Sequence, residues 1–575
     1  MKKLFAVLLA FLSLAAFLPP ASAESAANGT EAAIIVPGVI ETMLTTDPAA
    51  GRDGRFYAPV KAAIAKELGN LLSGAVRAHF FGRNDALTEA ALRLEDAALG
   101  QLKMGPDGVP TYSLTTPVSG AAQSAYAAML KSGIWDEVRY GAQIAPALAE
   151  RIGPENVFVF TYDWRLGSPT VAARFDSFVE EVKALTGCER VNVYSDSYGC
   201  QIVAYYLYAL DGARNVGRAV FDSPAWTGTA LFRGLMDENE DTFRFNLIDG
   251  ADTLLNFLQV ETDLKPLLRL LPDRNVQRVA FAMVRHAWDE YLRTAPGLWC
   301  CCAAEDYEEM KARFLDPAEN AAVIAEADMA QYGVMRHIPE ALAAAEAAGV
   351  KLSVIMNEGT RLFAGVNVNG DGVVDAAHGS GGECLPYGQT FTDGRSGARV
   401  SPANDLDLTN AFLPDRTWSF YGQTHGQSYW DDASCALVVK LLLTDEIATV
   451  DSDPRFPQFS AAHCPAYDVS LRLNGRGGCT LRPDEGAVQA VIRNDSEKNC
   501  VLLTGVKLNG LGYSVSRAAA LLRPGETKTV TLTPDAGAAA PAYGSAEISY
   551  VEFDSLPLRK TRTQYFSVAA ERQNT

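Results

Sequence analysis

Three side chains far apart in the chain are of types that together make an activated nucleophile: Ser197 in SDSYG, Asp371 in GDGVV and His425 in QTHGQ. A serine hydroxyl attacks poorly until an imidazole takes its proton, and that imidazole needs a carboxylate to fix its tautomer and steady the cation. The chemistry such a set performs is attack on a carbonyl with a covalent acyl intermediate. Ser197 has the right surroundings for it. Val191, Val193 and Tyr194 make a short apolar strand, and the run from Cys200 to Leu210 is long and apolar enough for a core-packed helix. A strand-to-helix turn this sharp strains the nucleophile's backbone and requires small residues two before and two after it, here Ser195 and Gly199. It also aims the amide of Tyr198 at the place where an oxyanion would form. By composition alone a small-x-Ser-x-Gly string occurs about once in a chain of this length, so the flanking strand and helix carry the reading.

Of six histidines, His425 follows an apolar strand (TWSFYG), precedes an apolar helix from Cys435 to Leu443, and sits on a glycine-flanked loop. His378 is its rival. His79, His286 and His337 lie in helical or cap contexts, and His463 lies in a linker. Asp371 follows the strand VKLSVIMNEG and precedes His425, the chain order a serine–acid–histidine set of this kind takes. The same stretch has a second reading. Asn367, Asn369, Asp371, Gly372 and Asp375 match the spacing of a calcium loop, although Asn stands first and His378 occupies the twelfth position, where a bidentate glutamate belongs. Asp371 is therefore a catalytic acid or a calcium ligand, and Asp375 is the next candidate acid. Near the start, AAIIVPG reads as a strand ending at Pro37 and Gly38. Gly38 would let the backbone of Val39 approach the site as a second oxyanion donor, and a plain tight turn accounts for the same residues.

These residues need a scaffold, and the pattern supplies one. ENVFVFTYDWRLG is a buried strand. A helix follows with Val171, Phe175, Phe178, Val179 and Val182 at helical spacing, ending at Gly187 just before the Ser197 strand. GRAVFDSP is a further strand. Strands alternating with helices predict a parallel sheet with crossover helices. Between Ala225 and Ala348 the alternation gives way to about 120 residues of helical pattern, too long for a plain connection, which we read as a helical cap. After a Pro-rich polar linker around Asp451 to Ala466, short alternating strands such as AVQAVIRN and SAEISYVEF predict an Ig-like β-sandwich. The expected order is a leader over 1–23, an α/β domain over 24–455 with its cap at about 225–348, and an all-β domain over 456–575.

The leader MKKLFAVLLAFLSLAAFLPPASA has two lysines, an apolar run, Pro19–Pro20 and small residues at Ala21 and Ala23. It reads as a signal peptide cut after Ala23, with a membrane anchor as the alternative, and it predicts an exported protein. No later run approaches the roughly 18 apolar residues of a spanning helix. A formal net charge of −19 with no basic cluster excludes a nucleic-acid binder. Ten cysteines in an exported chain allow disulfides, with Cys464, Cys479 and Cys500 the nearest candidates. The triplet Cys300–Cys302 sits beside Leu298 and Trp299 and reads as packed segment rather than metal site.

The motifs PGVIETML, YDWR, SDSYG, GDGVV and QTHGQ stand in the order and approximate spacing of the lecithin:cholesterol acyltransferase family, which includes lysosomal phospholipase and bacterial lipase-like relatives; the chain resembles it over about residues 31 to 450. The resemblance implies an α/β-hydrolase with a cap, Ser197 as nucleophile, Asp371 as acid, His425 as base, and the amides of Val39 and Tyr198 as the oxyanion hole. Ser195 and Asp196 replace the family's usual Gly-His before the serine, and the residues after Pro37–Gly38 differ from its usual Leu-Gly-Ser; these departures bear on acyl acceptor and substrate. The expected activity is hydrolysis or acyl transfer of lipid or other carboxylic esters without a cofactor, the cap touching a lipid or membrane surface and the C-terminal domain binding a surface, glycan or protein. A peptidase or amidase would share the triad. A calcium-dependent surface-binding protein on a silent hydrolase scaffold is the reading from another class.

Overall fold

The computed structural model describes residues 31–570 apart from 57, 136–142, 237–272, 361–368, 386–390, 392, 394, 396, 427–431, 454, 462–468, 474–479, 482–485, 495–498, 510–511, 536–542 and 554–558. The expected leader, Asn367, His463, Cys464 and Cys479 lie outside these residues, as do 237–272 of the expected cap.

Seven strands form one parallel sheet: β1 (Ala33–Val36), β2 (Val157–Val159), β3 (Val191–Asp196), β4 (Val216–Asp222), β5 (Lys351–Glu358), β6 (Thr417–Tyr421) and β7 (Phe459–Ala461), in the spatial order β2-β1-β3-β4-β5-β6-β7. Strands buried on both faces should be apolar at every position rather than alternating. β1 obeys, since Ile34 and Val36 enter the core on one face of the sheet while Ala33 and Ile35 enter the other. In β3 Val191 and Val193 take the first side and Tyr194 the second.

The first face is covered by α1 (Ser168–Thr186) and α2 (Tyr198–Ala209). Every one of the five apolar residues spaced along α1 is buried, and the helix stops at Gly187, whose φ of 73° is the left-handed conformation a glycine cap permits. α3 (Ile338–Ala347) also packs on α2, with Ile338, Ala341, Leu342 and Ala345 in the same core. The end of the helical stretch expected as cap thus lies on the sheet, because a parallel crossover from β4 to β5 needs a helix on the face. Above it, Phe232, Trp288, Trp299, Tyr307 and Phe314 form a separate aromatic core. On the other face Ile144–Ile152 and α4 (Asp432–Leu443) pack together, α4 starting three residues before the expected Cys435.

Beyond the sheet, the C-terminal region holds two antiparallel sheets. One joins Val469–Leu473, Val488–Asn494, Thr527–Pro534 and Tyr513–Val515; the other is built around Cys500–Asn509, Tyr543–Phe553 and Arg559–Ala570. In Val488–Asn494 the even alternation of buried and less buried residues is the mark of a strand with one wet face, and Val488, Ala490 and Ile492 join a core of their own. The chain is an α/β protein with a parallel sheet and flanking helices, followed by an all-β region.

Phe175 on α1 is fully buried, with its ring 5.1 Å from Phe160 and 5.0 Å from Tyr206. Phe175→Ala should cost about 3–5 kcal/mol, read as a lower urea midpoint with an unchanged slope.

Candidate active site

Ser197 stands between β3 and α2 with φ 53° and ψ −120°, a backbone region in which non-glycine residues are strained. Neighbouring backbone holds it there. Its amide donates to Asp222 O on β4 at 2.9 Å, and its carbonyl accepts the amides of Cys200 at 3.1 Å and Ala225 at 3.3 Å.

The small residues around it have specific jobs. A Cβ on Gly199 would lie 2.4 Å from Val36 O and 2.7 Å from Pro37 O, so the chain leaving β1 crosses directly over the elbow. A Cβ on Gly38 would lie 2.8 Å from Ser197 Cβ and 3.3 Å from its Oγ. Ser195 is fully buried with Oγ 3.4 Å from Cys200 Sγ, where a larger side chain has no room. Tyr198 opens α2, and the first amides of a helix have no acceptor within it. The Gly38 amide is taken by Glu41 Oε2 at 2.7 Å, and Val39 follows it in the turn.

Asp371 and His425 meet. Nδ1 of the imidazole is 2.7 Å from Asp371 Oδ2, and the His425 amide donates to Asp371 O at 3.0 Å. The other carboxylate oxygen accepts the amides of Val373 at 2.8 Å and Val374 at 2.7 Å. The glycines of GDGVV allow this fold-back: a Cβ on Gly370 would lie 2.0 Å from Val374 O, and Gly372 has φ 95°. Asp371 is 0% exposed and the His425 side chain 19%. Burial pushes the imidazole pKa down, but the charge and hydrogen bond of Asp371, with lesser help from Asp196 and Glu41, outweigh it and raise it to about 10. With Nδ1 engaged, Nε2 is the nitrogen left to exchange a proton.

The residues that matched a calcium loop go separate ways. Asn369 Oδ1 accepts the Gly359 amide at 2.8 Å and its Nδ2 donates to Asp405 Oδ2 at 2.8 Å. Asp375 Oδ2 is 2.8 Å from His378 Nδ1 and accepts the amide of Ala230 at 2.8 Å. Among the described residues no three His, Cys, Asp or Glu side chains are placed to hold a metal ion. His378, the rival base, is held instead between Asp375 and Glu305, its Nε2 2.8 Å from Glu305 Oε1, and the two carboxylates raise its pKa to about 10 against the effect of burial. Asp375 and His378 together thus tie the acid loop to Ala230 and Glu305.

The YDWR stretch supports the site from behind. Tyr162 donates its hydroxyl to Pro37 O, pinning the residue before Gly38. Arg165, fully buried, pairs with Asp163 through Nε to Oδ1 at 2.9 Å and Nη2 to Oδ2 at 2.7 Å, and its carbonyl accepts the Gly297 amide at 2.9 Å. The sequence offered no sign of the Tyr162–Pro37 bond, which joins residues 125 positions apart. Cys300 and Cys302 are fully buried free thiols in packed surroundings.

The fold is a parallel sheet with helices on both faces, α/β in class, with a strained serine at one strand-to-helix turn and an Asp–His pair on later loops. Comparison with known proteins adds little. No family model matches the chain, and no curated protein matches it. Among solved structures, the Tle4–Tli4 complex aligns at 11% identity over 72% of this chain and 99% of that one, with a TM-score of 0.29. The Bacillus licheniformis lipase BlEst2 in its propeptide form aligns at 10% identity over 78% and 91%, with a TM-score of 0.23. The YadV chaperone aligns at 11% identity over 19% of this chain, with a TM-score of 0.15, and the match spans about half of it, 53%. Scores this low carry no functional argument. Among the described residues no helix is long and apolar enough to cross a membrane.

Gly199→Ala should destabilise by about 1–3 kcal/mol, since a backbone carbonyl blocks the new methyl; chemical denaturation measures it. The pH dependence has a definite sign. The folded pKa of His425 lies above its unfolded value, so the stability from its pair with Asp371 is fully present below about pH 6.5 and lost as pH rises through about 10. His425→Gln should flatten the fall of the unfolding temperature over that window.

Proposed function

We propose that the chain is a serine esterase or lipase of the lecithin:cholesterol acyltransferase type that works through an acyl-enzyme on Ser197. The observation that carries the proposal is the buried Asp371, every oxygen committed, holding His425 by Nδ1 on a loop of the sheet that also presents the strained Ser197. In this reading Ser197 Oγ attacks the ester carbonyl and His425 Nε2 takes its proton. Asp371 steadies the imidazolium. The amides of Val39 and Tyr198 receive the oxyanion, the Gly38 amide being already bonded to Glu41. Such donors contribute most when fixed in advance, and the crossing of β1 over the elbow fixes them. The proton then passes to the departing alcohol, and water, or a lipid alcohol in acyl transfer, releases the acyl group. Ser197 Oγ and His425 Nε2 share no hydrogen bond in this structure, and the proposed proton transfer requires them to come within that reach around the substrate.

No cofactor takes part in this scheme. The leader directs export, and the cap meets the lipid or ester surface. The all-β region, whose sequence carries no catalytic motif, is the part suited to anchor the protein to a surface, glycan or protein.

A fluorophosphonate probe should label the purified mature chain, and labelling should vanish in Ser197→Ala and His425→Ala. Nitrophenyl esters of short and long acyl chains should be turned over by wild type and be at least about 1,000-fold slower with either variant. Folded wild type that neither labels nor turns over any ester sinks the proposal. Because the base must be neutral to accept a proton, kcat/KM should climb with pH from above the ordinary imidazole range, and Asp371→Asn should move the climb to lower pH while cutting the rate.

A further inference from the structure

The turn that carries the chain off β1 holds a residue in a conformation its side chain opposes. Ile40 has φ 67°, and of the five non-glycine residues with positive φ among the described residues it is the only β-branched one. A side chain branched at Cβ crowds the backbone there more than Ser, Asn or Asp does, and such strain persists only where surrounding contacts over-determine it. The side chain explains why an apolar residue stands at this position: with Val39 it packs against the core that α1 and α2 share. The backbone needs a tie of its own.

That tie is Glu41. Its Oε2 accepts the Gly38 amide at 2.7 Å and closes the turn over Val39 and Ile40. Gly38 is buried, so its amide has to find an acceptor within the protein, and a carboxylate makes a stronger one than a neutral oxygen. The start of the turn is fixed already, by the Tyr162 hydroxyl on the Pro37 carbonyl and by the press of Val36 O and Pro37 O on Gly199. Nor can Gly38 slide, since a Cβ built on it would lie 2.8 Å from Ser197 Cβ and 3.3 Å from Asp196 Oδ2. One end of the turn is thus held by the fold, and the other is held by Glu41. The proposed reaction gives that residue no role.

We propose that Glu41 is a positioning residue of the oxyanion loop: its bond to the Gly38 amide keeps Ile40 in the left-handed conformation and so fixes the Val39 amide relative to Ser197. The inference rests on the esterase reading for its effect on rate, and on the turn alone for its effect on folding. An oxyanion donor helps only if it stands in place before charge develops, so loosening the turn raises the barrier without weakening the ground-state complex. Gln at position 41 can accept the same amide through its side-chain oxygen, whereas Ala cannot. Gly at position 40 adopts positive φ without strain, so a turn with Gly there stays closed with less need of the bond.

The experiment measures kcat and KM on a short-chain nitrophenyl ester, beside thermal unfolding, for wild type, Glu41→Ala, Glu41→Gln, Ile40→Gly and the double variant Ile40→Gly with Glu41→Ala. Glu41→Ala should lower kcat about 10- to 100-fold with KM within about 2-fold, and Glu41→Gln should stay within about 5-fold of wild type. In the Ile40→Gly background, Glu41→Ala should cost less than about 3-fold in kcat, and its shift of the unfolding temperature should shrink to less than about half. Glu41→Ala with the kcat of wild type overturns the proposal. So does Glu41→Gln as slow as Glu41→Ala, which assigns the effect to charge, and so does a Glu41→Ala effect of equal size in both backgrounds. Should Glu41→Ala alone not fold, a double variant that folds supports the proposal and one that does not overturns it. A wild type that turns over no ester overturns the esterase reading alone, and the unfolding comparison then decides whether Glu41 holds Ile40.

Discussion

The arrangement rests on one close approach, that of the backbone leaving β1 to the first turn of α2. Val36 O and Pro37 O press on Gly199 so tightly that no side chain fits. From that contact follow the position of Gly38 over Ser197 and the strained φ and ψ of Ser197. The cost of that strain, about 1–3 kcal/mol, is offset by a sheet whose central strands are buried on both faces and by Tyr162, which grips the same Pro37 carbonyl. Neither the loop nor the elbow could shift alone.

A second constraint acts at the same edge of the sheet, beyond the end of β5. The Asp371 carboxylate accepts the amides of Val373 and Val374 and holds the His425 imidazole, while its own backbone carbonyl accepts the His425 amide. A carboxylate so fully used is an orienting group with no freedom to coordinate anything else. Two glycines make the turn possible, and the chain returns from β6 to complete it. The acid turn is in turn fastened outward, through Asp375 and His378, to the cap.

Most of this framework was legible in the chain. Continuous apolar runs marked the buried strands, the spacing of Val171 to Val182 marked α1, and the glycine-flanked loops carrying Asp371 and His425, which the structure pairs, stood out by their place after strands. What stayed hidden has a common physical cause, contact between residues distant in sequence. His378 and Glu305, and Tyr162 and Pro37, each meet only once the sheet has formed, and no local pattern encodes them. The helical stretch after Ala225 misled in one respect, since periodicity says that a helix has an apolar face but not which core it faces. α3 faces the sheet. The double reading of GDGVV was a real ambiguity of composition, because calcium loops and tight acid turns both need Gly and Asp for the same backbone reasons.

Cys300 and Cys302, sealed between the cap's aromatic core and α2, have a practical consequence. Burial drives both thiols well above their ordinary pKa, so in the closed molecule they are neither thiolate nor accessible, and alkylating reagents or mild oxidants have nothing to attack. They become reactive only while this segment is parted from the scaffold. The rate at which they are alkylated under native conditions is therefore a clock for the parting of this segment, supplied by the chain itself without any engineered label.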